Sequence, residues 1–309
     1  MVDEKRCILA VGFTCLDIIA YCRQFPTEDS HETRASEIKW TRGGNASNSC
    51  TVWSLLEENC EYFGTLAISP HTRFLEDDFD KYGICIENCV YRDNCVLPTS
   101  MGIINSNSGT RTIIPAKRTL PELKFDDFVS NIKLTSGKYK WIHFEGRPVE
   151  KEIAKMIQYI DDYNESTDED DRIITSVELE KSRAELDILV NGVDYVLVSK
   201  DHAMFRGYAH PEQVLNAFVT KLKPGAAVIR PWGDRGAYYR RSDGLNSHEA
   251  AFVPPVIVDT LGAGDTFIAA TIWSLSRRDS LKTAVKFGCR VAGLKCGVQG
   301  FERLKKLIL

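Results

Sequence analysis

Two short segments carry the residue types best suited to chemistry. In DTLGAGDTF, residues 259–267, Asp265 is bracketed by glycines between an apolar, β-branched stretch (Val256, Ile257, Val258) and a helical pattern over 267–275. At a helix start the N–H groups of Gly262, Ala263 and Gly264 lack intrahelical acceptors and share the positive end of the helix. Such a turn can hold phosphate oxygens, and the Asp265 carboxylate beside it can take a proton from an attacking hydroxyl. Read alone, the segment fits a tight, well-capped turn equally well. In RGGNASNSC, residues 42–50, Gly43 and Gly44 precede a helical run, and Asn45 and Asn48 lie three apart on one side of its first turn. Their amides offer donors and acceptors to neighbouring hydroxyls of a polyol. Taken singly, an asparagine N-cap with a second locally bonded asparagine accounts for this segment too. The two together fit a cleft between two edges of one sheet.

The elements that must position these residues follow from periodicity. Short β-rich runs (CILAVG, YFGTLA, KWIHFEG, IITSVEL, YVLVSK, AAVIRPW) alternate with helical patterns over 46–58, 74–82, 150–163, 183–190 and 212–222. That alternation predicts an α/β fold: a doubly wound, mainly parallel sheet with helices on both faces. Two segments break the rhythm, 18–41 and 96–115, the latter with a turn at NSNSG. Both read as strands with polar faces that form a small β-sheet lid. The core is expected from 1–14, 43–93 and 116–309, and the lid from 15–42 and 94–115.

GGNASN together with DTLGAGDTF resembles the paired signatures of the ribokinase-like carbohydrate kinases. The segments SGTRTI, WIHFEGR, SVELEK, LVSKD, FGCRVAG and KCGVQGF look like the ketose-phosphorylating branch, and the likeness runs from about Cys7 to Phe301. The resemblance implies an ATP-dependent kinase that phosphorylates the 1-hydroxyl of D-fructose or a similar ketose. Asp265 would be the general base, and Gly262, Ala263 and Gly264 the anion hole. Asp17, Gly44, Asn45 and Asn48 would bind the sugar. Arg111 on the lid and Gly233, Asp234, Arg235 and Gly236 would contact the nucleotide, although GDRG departs from the family in composition and charge. Cys289 and Gly293 would border the adenine, unless they serve ordinary helix packing. Mg²⁺ would accompany ATP, with a monovalent cation such as K⁺ near the anion-hole turn. The family's Asn-x-x-Glu motif should fall near LVSKDHA, where Ser199, Lys200, Asp201 and His202 stand and the glutamate is missing, so no metal ligand is named. These kinases also imply a homodimer clasped through the lid, with Asp29 reaching the partner's sugar site. The alternatives are a kinase for another sugar or a nucleoside, such as ribose or adenosine, and a catalytically inactive sensor on the same scaffold.

Composition narrows the remaining classes. The 309 residues carry a net charge of −4 with Lys and Arg scattered, so a basic footprint for nucleic acid is missing. Ten cysteines, dispersed with no C-x-x-C pair, fit reduced thiols in the cytoplasm better than a disulfide framework. The apolar run at 7–16 reads as a buried first strand rather than a secretory signal, and no run of about 18 apolar residues marks a membrane span. A dinucleotide-binding oxidoreductase fits poorly, since only Gly12 follows the first strand where a G-x-G-x-x-G would stand. The acidic run 168–171 reads as a solvated loop, and the ERLKKLIL tail from Glu302 has no functional reading.

Overall fold

The computed structural model describes residues 6–308 apart from Ser30, Gly109 and Ser136. Its centre is an eight-stranded sheet. Six strands run parallel in the order β4 (Cys60–Phe63), β1 (Cys7–Val11), β9 (Tyr139–Glu145), β10 (Ile174–Leu179), β11 (Tyr195–Val198) and β12 (Ala227–Pro231). The antiparallel strands β13 (Ala237–Arg241) and β14 (Asn246–Glu249) finish one edge. The central strands are apolar on both sides because both faces are covered: Ile8 and Ala10 turn to one core, Leu9 and Val11 to the other. The first core lies beneath α1 (Asn45–Leu55), α2 (Thr72–Lys81), α7 (Ala263–Ser276) and α8 (Leu281–Cys296). The second lies beneath α3 (Phe125–Asn131), α4 (Glu150–Glu165), α5 (Lys200–Phe205) and α6 (Pro211–Val219).

Helix α7 is buried on almost every side because α1 and α8 enclose it. Small residues make this close packing possible. A Cβ added at Gly288 would lie 2.2 Å from Thr271 Oγ1. The buried Trp53 donates its indole N–H to the Ala269 carbonyl at 2.8 Å, which fixes the register of α1 against α7. Truncating Trp53 to alanine would cost about 3–5 kcal/mol and would loosen that register.

A separate four-stranded sheet in the order β3 (Ala35–Gly43), β2 (Cys15–Cys22), β7 (Thr99–Asn105), β8 (Arg111–Pro115) projects from the core. The β7–β8 turn passes through Ser106, Asn107 and Ser108, and Gly109 of NSNSG lies outside the described residues. Registered neighbours share a face. Trp40, Ile18, Met101 and Ile114 form one row across the sheet, and Thr41, Asp17, Ser100 and Pro115 form a row on the opposite face.

Several elements differ from the sequence reading for identifiable reasons. YFGTLA splits at Gly64 into β4 and β5 (Thr65–Ala67), and β5 pairs instead with β6 (Val90–Arg92). A side chain at Gly64 would meet the Tyr62 hydroxyl at 2.1 Å, so the chain bends away there. Val256, Ile257 and Val258 are exposed and form no strand; the Val258 N–H goes to the Cys296 carbonyl at 2.8 Å rather than to a sheet neighbour. The Gly262-Ala263-Gly264 turn therefore follows a loop. Residues 184–189 form a 3₁₀ helix in place of the expected α-helix. The tail folds back: Leu304 is fully buried, α9 (Lys305–Ile308) follows it, and Glu302 pairs with Lys81 at 2.6 Å.

Candidate active site

The C-terminal ends of β1, β9 and β10 and the first turns of α1 and α7 converge at one edge of the sheet, where open α/β folds bind ligands. Gly44 starts α1 with φ of +100°, and a Cβ there would lie 2.1 Å from the Phe13 carbonyl. Only glycine lets the chain enter the helix so close to the β1 loop. From this turn Asn45 donates to Glu178 Oε2 at 3.1 Å and Asn48 donates to Asp265 Oδ2 at 2.7 Å. The two sequence segments thus meet directly, through one short amide–carboxylate bond.

Gly262 precedes α7 with φ of +76°, and Phe301 packs against its Cα face, where a Cβ would lie 2.6 Å from the ring. The N–H of Ala263 bonds Thr260 and that of Thr266 bonds Gly262, while the N–H groups of Gly264 and Asp265 meet no acceptor among the described residues. A Cβ built on Gly264 finds nothing within 4 Å, so the turn opens onto free space. Burial pushes the Asp265 carboxyl up to about 7 against the Asn48 bond, with Glu145 and Glu180 adding to the rise and Lys181 opposing it. Glu178 is driven well above the usual carboxylate range by burial and then by Asp265, Glu180 and Glu145. Glu145 behaves in the opposite way. Burial pushes it up, but Arg147, Lys181 and the N–H groups of Phe13 and Ala46 outweigh that and hold it low.

Glu145 is also the knot of the site. Its Oε2 accepts from Phe13 N–H at 3.0 Å and Ala46 N–H at 3.3 Å, and its Oε1 pairs with Arg147 at 3.2 Å. The first turn of α1 and the loop after β1 are therefore tied to the end of β9. Asp17 lies on β2, where Gly43 leaves it room: a Cβ at Gly43 would stand 2.0 Å from Asp17 Oδ2. Burial raises the Asp17 carboxyl, offset by bonds from Cys15 and Ser100.

The nucleotide candidates are more dispersed. Arg111 spans from β8 to the anion-hole loop, donating to Thr260 Oγ1 at 2.6 Å. Gly233, Asp234 and Arg235 form an exposed 3₁₀ turn after β12, and Gly236 has φ of +79° with the Glu249 carbonyl 2.0 Å from where a Cβ would sit. No bond links that turn to Asp265. Cys289 donates its thiol to the Glu249 carbonyl at 3.8 Å, and Gly293 lies under the Phe252 carbonyl. Beside them a groove of about 380 Å³ is walled by Phe252 and Phe287 and rimmed by Lys286 and Arg290. Asp29 is exposed between β2 and β3. At LVSKDHA, Ser199 caps α5 and the buried His202 bonds the Lys181 carbonyl at 2.8 Å and Asp187 at 3.2 Å, so both serve as struts.

Glu145, Arg147, Glu178 and Lys181 were not singled out as site residues by the sequence reading. The available signal was charge at the C-terminal ends of otherwise apolar strands, in HFEGR and SVELEK.

The chain belongs to the pfkB family of carbohydrate kinases, whose model matches residues 5–304. It is accordingly an ATP-dependent sugar kinase. Among its relatives is ketohexokinase of Mus musculus, 41% identical over 299 residues, which cover 97% of this chain and 99% of the relative. The fold is that of the ribokinases. Arabidopsis thaliana ribokinase, solved with ribose and ATP, superposes with a TM-score of 0.77 at 18% identity, each chain 98% covered. The adenosine kinase of Sinorhizobium meliloti gives 0.78 at 20% identity, again with 98% of each chain covered.

Proposed function

We propose that the protein phosphorylates the 1-hydroxyl of D-fructose or a similar ketose. The observation that carries the chemistry is the 2.7 Å bond from Asn48 to Asp265, which joins a polyol-binding helix start to a carboxylate at an open helix N-terminus. The substrate class rests on the likeness to the mouse ketohexokinase. Asp17, Gly44, Asn45 and Asn48 hold the sugar hydroxyls, each charged hydrogen bond contributing about 1.5–3 kcal/mol. Asp265 takes the proton from the attacking hydroxyl. As the oxygen bonds to the γ-phosphorus and the bond to the β–γ bridging oxygen breaks, the Gly262-Ala263-Gly264 turn balances charge on the transferring group through the open N–H groups of Gly264 and Asp265, the Ala263 N–H being held by the Thr260 carbonyl. ADP leaves with that bridging oxygen. The adenine lies between Phe252 and Phe287 beside Cys289 and Gly293, and Arg111 and residues 233–236 contact the nucleotide.

Mg²⁺ fits this chamber as an ion brought by ATP. No three acidic or histidine side chains converge on one point among the described residues, which suits an ion that keeps waters and phosphate oxygens. The acidic surplus of Glu178 and Glu180 near Asp265 is where one carboxylate would hold it and offset phosphate charge. K⁺ near the anion-hole turn belongs to the same reading; the Asp259 carboxylate there accepts Leu261 N–H on Oδ1 and Gly300 N–H and Lys295 on Oδ2.

A homodimer through the lid is supported by the exposed Ile38, Trp40, Met101 and Ile114 on its outer sheet. The exposure of Asp29 on the β2–β3 connection supports its reaching a partner's sugar in such a dimer. A cytoplasmic location is supported by ten free cysteines and by the lack of any helix long and apolar enough to cross a membrane among the described residues. Coupled ADP release with Mg-ATP against fructose, ribose, adenosine and fructose 6-phosphate tests the substrate. Turnover of fructose is expected; turnover confined to adenosine rejects the ketose, and no turnover favours the sensor.

A further inference from the structure

Beneath the anion-hole turn lies a buried ion pair that the phosphoryl-transfer chemistry has not used. Lys295, in the last turn of α8, has no exposed surface, and Asp259 is 6% exposed. The Lys295 ammonium donates to Asp259 Oδ2 at 3.0 Å and to the Asp259 carbonyl at 3.1 Å. The same carboxylate accepts the N–H of Leu261 at 2.9 Å and of Gly300 at 3.0 Å, so it ties the loop to the tail as well as to α8. The N–H groups of Val258 and Asp259 both return to the Cys296 carbonyl. Phe301 lies under Gly262 and 5.6 Å from the ammonium.

We propose that Lys295 is a positioning residue for phosphoryl transfer. Its ammonium, locked on Asp259, fixes residues 259–262 so that the free N–H groups of Gly264 and Asp265 point at the transferring group, and it keeps a positive charge behind them. The inference rests on that turn being the anion hole. A buried ion pair is a poor device for stability alone, because apolar replacements of similar size commonly match it. Its place at the root of the turn gives it a different use, since small misplacement of such a group slows chemistry by up to about 10²-fold.

The test is the double variant Lys295→Met/Asp259→Leu, which removes both charges together. It is expected to keep its Tm within several degrees and its sugar Kd within about threefold while kcat falls roughly 10- to 100-fold. A kcat within twofold of the unaltered enzyme overturns the proposal. Lys295→Ala separates charge from packing: partial recovery of kcat with methylammonium, and none with tetramethylammonium at equal ionic strength, is expected. A loss of kcat that methylammonium does not restore removes the charge from the account and overturns the proposal. Should the variants not fold, native-state hydrogen exchange on the unaltered enzyme decides. The Leu261 and Gly300 amides should exchange as slowly as core strands, and exchange at exposed-loop rates overturns the brace. If Asp265→Asn kept its rate, the anion-hole reading itself would fail. If only the Lys295 variants kept theirs, that reading would stand and the brace alone would fall.

Discussion

Helices α1 and α7 begin in the same way and end up with different tasks. Each follows a glycine of positive φ, and each points its first turn into the one chamber. At α1 the positive end is already answered, because Glu145 accepts the Ala46 N–H and stays ionised beside Arg147 and Lys181. What remains for a ligand is neutral, the amides of Asn45 and Asn48, and these suit hydroxyls. At α7 the N–H groups of Gly264 and Asp265 stay open, and these suit an anion. One local device is therefore left neutral or open to an anion according to whether a protein carboxylate has been placed on it.

The comparison can be broken first at α7. Asp265→Asn should lower kcat by roughly 10² to 10⁴ while sugar affinity stays within several-fold, read by steady-state kinetics and calorimetry. Glu145→Gln attacks α1 by removing the charge that answers Arg147. It is expected to destabilise the fold by about 1–3 kcal/mol in urea unfolding, because Arg147 loses one carboxylate partner while keeping Glu122. Asn45→Ala and Asn48→Ala should raise sugar KM with smaller effects on kcat, each by about 0.5–1.5 kcal/mol of binding.

The pH dependence sharpens the contrast. With its carboxyl raised to about 7 by burial, Asp265 is protonated in acid, so kcat/KM should rise with one-proton slope as pH passes through 7. The sign for stability is opposite. The folded state holds the Asp265 proton more tightly than the unfolded chain, so its contribution is fully present below the ordinary value of 3.8 and is lost as pH climbs to about 7. Asp265→Asn should therefore raise Tm by a few degrees at pH 8 and change it little at pH 4, in thermal melts at the two pH values. A lid variant gives the mildest effect: Trp40→Glu should shift a homodimer toward monomer in sedimentation while leaving the melting of the core within a few degrees.

Much of the architecture was legible because its signals are local. Strands such as CILAVG are apolar on both faces, and the glycines at 43, 44 and 262 mark backbone that must approach a neighbour closely. The meeting of Asn48 with Asp265 was legible only as a pairing of motifs, since neither segment encodes the Trp53–Ala269 bond that sets the two helices in register. Glu145 and Glu178 escaped notice for the same reason: their roles come from convergence of separate strand ends. Val256, Ile257 and Val258 misled in the other direction, with β-branched composition but no sheet edge to join. The pair of Lys295 and Asp259 is invisible in sequence, because a lysine late in an amphipathic helix reads as a solvated charge.

The most direct measurement follows backbone amide ¹⁵N shifts at Ala46, Gly264 and Asp265 as sugar, Mg-ADP and aluminium fluoride assemble a mimic of the transferring phosphoryl group. The account expects the Gly264 and Asp265 amides to move as they take up the new acceptor, with Ala46 unmoved on Glu145. A shift at Ala46 with Gly264 and Asp265 unchanged would contradict it.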